Sequence, residues 1–154
     1  MQKVERRELK SVISIFGVVS FLILVVSVGA LILHNKIITR RAAVDEALAA
    51  VDNLLHEQLE TLYETAITHP DSQDFLELCE DYAALQTREL LIALPELQEE
   101  AAHFLPPPED EKKEALTQAV KTLNTAIDIY NAFITKFPAQ LMASILTLEQ
   151  EHQF

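Results

Sequence analysis

The sequence predicts an all-α protein in which a single N-terminal transmembrane helix continues into an antiparallel bundle of three long helices and a short one. Three observations predict it. Residues 11–33 carry no charged side chain and lie between Lys10 and the polar group His34, Asn35 and Lys36. Both glycines fall inside that run, while the prolines punctuate the rest at Pro70, Pro95, Pro106, Pro107, Pro108 and Pro138. Between the prolines the chain is rich in Ala, Leu, Glu and Gln, which favour helix, and no period-two stretch or hairpin dipeptide argues for a strand.

The apolar run sets the first element. Its 23 positions reach roughly 34 Å as a helix, slightly more than the roughly 30 Å hydrocarbon core of a bilayer. A cleaved secretory signal is the competing reading, with Lys3, Arg6, Arg7 and Lys10 as a basic start and Val28-Gly29-Ala30 as a small-residue site. The run exceeds the roughly 7–15 apolar residues usual for such a signal, so a retained anchor is expected. The chain then divides into a short basic tail (1–10), the transmembrane helix (11–33) and a helical-bundle domain (34–154). Four basic residues precede the span, and Lys36, Arg40 and Arg41 follow it. A short tail with four positive charges resists translocation, which favours an N-terminus inside and an exported bundle.

Charge separates the two regions. Residues 1–41 hold seven Lys/Arg against Glu5 and Glu8, so a whole-chain charge of -12 leaves -17 for residues 42–154. Such a domain repels nucleic acid and anionic surfaces. At this length it forms one small domain and not two. The single cysteine, Cys79, allows no internal disulfide, and no paired Cys spacing suggests zinc.

Beyond the span, Ile37, Val44, Leu48, Val51, Leu55 and Leu62 keep a 3.5-residue repeat, with polar Gln58 where another apolar residue is expected. Nothing breaks helical propensity before His69-Pro70, so span and first bundle helix should be one continuous helix. Asp71 or Ser72 can cap a second helix with the stripe Phe75, Leu78, Tyr82, Leu85 and Ile92, ending or kinking at Leu94-Pro95. A shorter helix from Pro95 to about Phe104 would place proline in its first turn. Leu105 and the triple proline then form a loop. The last long helix carries Leu116, Val120, Leu123, Ile127, Tyr130, Ile134, Phe137 and Leu141 at steps of four and three, widened by Ala119, Ala126 and Phe133. Pro138 should interrupt it before a closing segment over 139–149.

Candidate chemistry is sparse. Two Glu-x-x-His sequences, Glu100 with His103 and Glu149 with His152, have the spacing by which helical residues share a metal. One abuts the triple proline and the other ends the sequence, whereas a buried metal site needs ordered mid-helix positions. His34, His56 and His69 share no ligand spacing, no Ser or Cys nucleophile has a recognisable setting, and no glycine loop could hold phosphate. The acidic runs 96–100 and 109–111 read as a solvated face and a charged helix start, with a cation or basic partner as the sharper alternative. Tyr63, Tyr82 and Tyr130 are expected in the core or at an interface. No catalytic, cofactor-binding or metal residue is assigned, and no enzyme activity is expected.

The segment Tyr130-Asn131-Ala132-Phe133-Ile134-Thr135-Lys136-Phe137-Pro138-Ala139-Gln140-Leu141-Met142-Ala143 resembles the C-terminal signature of the LemA family: a tyrosine-asparagine pair, then phenylalanine-proline and a small-residue helix. Leu123-Asn124, one heptad earlier, stands where that family has its other tyrosine-asparagine pair. Val44-Asp45-Glu46-Ala47 through Val51 is similar to the stretch after the family's anchor, and Leu94-Pro95-Glu96-Leu97 to its tyrosine-proline-acid-leucine element. The family's paired arginines and its isoleucine-proline-asparagine-leucine-valine run are missing from 55–67, so a binding role tied to that basic surface does not carry over. The resemblance implies a single-span bacterial membrane protein with a helical bundle, and no established enzymatic activity comes with it. The expected role is a membrane-anchored homo-oligomeric scaffold, with Val44, Leu48, Val51 and Leu55 shared between intrachain and interchain contacts. The alternative is a sensor or binding module acting through a partner protein.

Overall fold

A computed structural model describes residues 2–69, 72–102 and 110–154, with side chains from residue 14 onward. Five helices follow in order: α1 (Gln2–Ile67), α2 (Gln73–Ala83), α3 (Thr87–Ala101), α4 (Asp110–Ile134) and α5 (Ala139–Ile145). No strand occurs among the described residues. The all-α class and the helical bundle are those the sequence predicts. The chain divides into two compact units, one of residues 1–39 with 133–149, the other of residues 40–132 with 150–154.

Helix α1 runs unbroken for 66 residues, through the basic tail, the apolar run and the first bundle segment, and stops two residues short of His69. Its apolar portion is long enough to cross a membrane, and none of that window is buried. Polar side chains there return to the helix itself: the Ser27 hydroxyl donates to the Ile23 carbonyl at 2.8 Å. Such back-bonding removes an unpaired donor from an apolar surface.

In the unit of residues 40–132 and 150–154, α1 and α4 lie antiparallel. Gln58 on α1 reaches the Lys112 carbonyl at the start of α4, and Arg40 reaches the Ile129 carbonyl near its end. The two bonds are 18 residues apart on one helix and 17 on the other, as a matched antiparallel pair requires. The heptad stripe is inward: Val44, Val51, Leu55 and Leu62 of α1 are buried, and so are Leu123, Ile127 and Tyr130 of α4. Polar Gln58 is buried with them, at 5% exposure. Its Nε2 donates to the Lys112 carbonyl at 3.1 Å, and its Oε1 accepts from Gln98 Nε2 at 3.1 Å. Each end of the amide is thereby paired, which is what makes a polar residue tolerable at a core position.

The second predicted helix is two helices. The chain leaves α2 at Ala84, and Gln86 takes an extended conformation (φ -71°, ψ 155°) as the N-cap of α3. A capping box links Gln86 and Glu89, satisfying free backbone donors that an uninterrupted helix would not have exposed. The break changes the phase of the apolar stripe. Phe75 and Cys79 are buried on α2, and Leu90, Leu94, Leu97 and Ala101 on α3, while Ile92 is 72% exposed. Helices α2 and α3 pack on each other. Thr87 also donates to Asp52 Oδ1 at 2.7 Å, holding the start of α3 against α1.

Pro95 does not end or begin a helix but sits inside α3. It is exposed, so the carbonyl that its ring deprives of a partner belongs to a helix turn at the surface, where water can substitute for the lost bond. Ser72 stands at the N-cap of α2 without capping through its side chain. Its hydroxyl instead lies against the Ala66 and His69 carbonyls, at 2.6 and 2.7 Å, closing the end of α1. Pro70, Asp71, His103, Glu109 and the predicted triple-proline loop lie outside the described residues.

In the unit of residues 1–39 and 133–149, Ile37, Ile134, Ala139 and Ala143 are buried. Pro138 interrupts the last long helix as predicted, and α5 starts immediately after it. Phe137 and Leu141, expected to extend the α4 stripe, are instead 82% and 60% exposed. The interruption explains the change: the break resets the helical phase, and Ala139 and Ala143 become the inward side of α5.

Candidate functional site

The most elaborate polar constellation is on α4. Asn124 and Asn131 sit one heptad apart, hence on one helix face, about 10.5 Å apart along the axis. Residues 150–154 form no helix and run along that face in the direction opposite to α4. Asn131 Nδ2 donates to the Glu151 carbonyl at 2.7 Å while Asn131 Oδ1 accepts from the Glu151 N–H at 2.9 Å. Asn124 repeats the arrangement on Phe154, with both bonds at 2.8 Å. Three extended residues span about 10 Å, close to the rise of seven helical ones, so the two side-chain amides meet the backbone in register.

Between the two clamps, the Gln153 side-chain amide donates to Asp128 Oδ1. From α3, Arg88 Nη2 donates to the Gln153 carbonyl at 2.8 Å, and its guanidinium lies 5.5 Å from the centre of the Phe154 ring. The cationic face contact and the charge-assisted bond both draw on one side chain. Four polar side chains on two helices thus hold one short extended segment, and the asparagines do so through its main chain. Chemically the face is a recognition surface for extended backbone.

The Tyr130 ring is nearly fully buried beneath this face. Burial raises its hydroxyl above the usual tyrosine range; Arg41 opposes that shift, and Glu151 and Asp45 add to it. Tyr63 lies on α1, where its hydroxyl donates to Glu80 at 3.4 Å, and Tyr82 is half-buried on α2.

Other sequence candidates remain scattered. Glu149 and His152 belong to a non-helical stretch and are both exposed, so their three-residue spacing no longer places them on one side of a helix. His56 Nδ1 contacts the Asp52 carbonyl at 3.0 Å within its own turn, while His34 lies about six turns earlier on α1 and His69 just beyond its end. Among the described residues no three metal-ligating side chains come together. Cys79 is 1% exposed, and burial pushes its thiol up to about 11, the setting of an inert sulfur rather than a nucleophile.

Apolar spacing does not reveal the clamp, since neither asparagine belongs to the buried stripe of α4. The available signal was two poor helix formers held mid-helix at heptad spacing, which calls for a side-chain role to offset their propensity. The five residues they hold gave no signal of their own. No protein-family model, curated protein sequence or solved structure matches the chain.

Proposed function

We propose that this chain is a non-enzymatic, single-pass membrane protein whose bundle serves as an oligomeric scaffold or interaction module, organising or shaping a bacterial cytoplasmic membrane. A distant LemA-like relationship is part of that reading. The observation that carries it is the continuity of α1, which passes from the apolar run into the bundle seam without a linker. Neighbouring copies anchored in one bilayer would thus present parallel α1 helices to each other.

The interchain surface in this reading differs from the heptad stripe. Val44, Val51 and Leu55 are spent within the chain, at 4%, 0% and 0% exposure. What α1 offers outward just beyond the apolar run is Ala42, Ala43, Ala49 and Ala50, all exposed. Small side chains let helices approach closely, and this face is the one assigned to contact between copies. Light scattering on the full-length protein in mild detergent tests the assembly. A large discrete particle is expected, and a monomer removes the scaffold reading.

The clamp on α4 supports a second reading, a binding module acting through a partner protein. Its bonds to Glu151 and Phe154 are made to main chain, so an extended partner segment could displace residues 150–154. A partner co-purifying in equal amount, and lost on Asn124→Ala with Asn131→Ala, is the expected result under this reading. Retention of that partner by the double variant counts against it.

A further inference from the structure

The exposed side of α5 carries Leu141 and Ile145, one helical turn apart at 60% and 69% exposure, and Phe137 in the turn just before the helix is 82% exposed. Single apolar residues on a surface are ordinary, whereas a run of large ones within nine positions marks a surface with an occupant. The opposite side of the same helix, Ala139 and Ala143, is buried.

Two observations identify what covers the row. The first is position. Residues 133–149 form one compact unit with residues 1–39. Among the described side chains of α1 in that unit, residues 14–28 are exposed throughout, while Gly29, Ala30, Leu33 and His34 are half-buried and Ile37 is buried. These positions form one helical face at the end of the apolar run, and residues 133–149 are the other segment of the unit available to cover it. Residues 133–149, α5 among them, therefore share a unit with the point where the apolar run gives way to His34, Asn35 and Lys36.

The second is charge. Residues 129–148 contain no Asp or Glu, and Lys136 is their only charged residue. In a chain with 24 acidic residues, the one longer acid-free stretch is 9–44, which contains the apolar run. Most of each acid-free stretch, residues 9–39 and 133–148, falls in the same unit. Lys36 and Lys136, both exposed, supply the cationic border that suits anionic headgroups, where an acidic surface would be repelled.

We propose that the Phe137, Leu141 and Ile145 row of α5 is embedded in the headgroup–acyl boundary of the bilayer that α1 crosses, giving the protein a second, interfacial membrane contact. This rests on the reading of residues 11–33 as a span. An interfacial helix lies with one apolar side in the lipid and its other side on protein or in water, which is the division α5 shows. Insertion on one leaflet alone gives the membrane-shaping reading a physical means.

The chain has no tryptophan, so single substitutions report location directly. Full-length Leu141→Trp, Phe137→Trp, Leu24→Trp and Ile92→Trp would each be reconstituted in vesicles of phosphatidylcholine and phosphatidylglycerol, with lipids brominated either near the headgroup or near the chain ends. Retained helical circular dichroism qualifies each variant, and Phe137→Trp serves where Leu141→Trp does not fold. The expected result is blue-shifted emission at position 141 or 137, quenched about twofold by bromine near the headgroup and less by bromine near the chain ends. Position 24 should show the reverse depth preference, and position 92 no quenching. Quenching at 24 with none at 141 and 137 overturns the interfacial contact and leaves the span standing. No quenching at any position overturns both. Blue-shifted emission at 141 that bromine does not quench means that a protein surface, such as a second copy, covers the row, and also overturns the proposal.

Discussion

At the scale of the residue, the side chains that matter most are polar ones on apolar helices. Asn131 donates to and accepts from the same residue, Glu151. Asn131→Ala should therefore free the segment 150–154, raising amide exchange at Glu151 and costing about 1–2 kcal/mol in urea unfolding. Asn131→Asp keeps the acceptor for the Glu151 N–H but loses the donor and sets a carboxylate against the Glu151 carbonyl, so it should resemble alanine. Wild-type exchange in the aspartate variant would show that the donor half contributes nothing. Cys79 gives a pH prediction. With its folded thiol pushed from 9.0 to about 11 by burial, the folded state disfavours the thiolate that the unfolded chain forms freely. The thiol's contribution is thus intact below pH 9 and is lost as the pH rises toward 11, and the alkaline fall in stability should be smaller in Cys79→Ala, the buried Tyr130 hydroxyl supplying part of what remains. A thiol reagent at pH 8 should react with native protein far more slowly than with urea-unfolded protein. Sequence reasoning placed Cys79 and Gln58 on helices, but their burial and partners come from α2, α3 and α4 arriving around α1.

At the scale of the element, the long helices were legible and the short ones were not. The α1 and α4 stripes are read from apolar spacing because each packs along one continuous line, and Val51, Leu55, Leu123 and Ile127 are nearly inaccessible as that spacing implies. The break between α2 and α3 carries no proline or glycine. Residues 84–86 are Ala, Leu and Gln, all compatible with helix, so local propensity gives no warning. The turn instead lets Phe75 with Cys79 and Leu90 with Leu94 reach the core from two directions. Pro95 misleads in the opposite sense, because a surface helix held by Leu94 and Leu97 on its buried side tolerates one missing bond on the other. Pro95→Ala should restore that bond and stabilise the protein by about 1–3 kcal/mol, measured by thermal or urea denaturation. A lower midpoint would mean that α3 depends on the geometry proline imposes.

At the scale of the whole molecule, α1 after the apolar run has one side buried in the bundle and one side exposed. A charge at the inaccessible Val51 should abolish cooperative unfolding, since an unpaired carboxylate would enter the seam. A charge at the exposed Ala49 should leave circular dichroism and unfolding near wild type while reducing the particle mass in detergent. Unchanged mass in a folded Ala49→Glu variant would move the contact between copies off this face. The sequence by itself determined the helical class, the apolar run long enough to cross a membrane, the continuity of α1 and the register of α4 as far as Ile134, because each follows from composition or periodicity along one strip of chain. Tertiary structure alone decided the rest. It placed Asn124 and Asn131 on the backbone of residues 150–154, paired Gln58 with Gln98 and Lys112, and turned Phe137, Leu141 and Ile145 outward. Those outcomes depend on which segment lies across from which, and a periodic pattern states that a face is apolar without stating what that face meets.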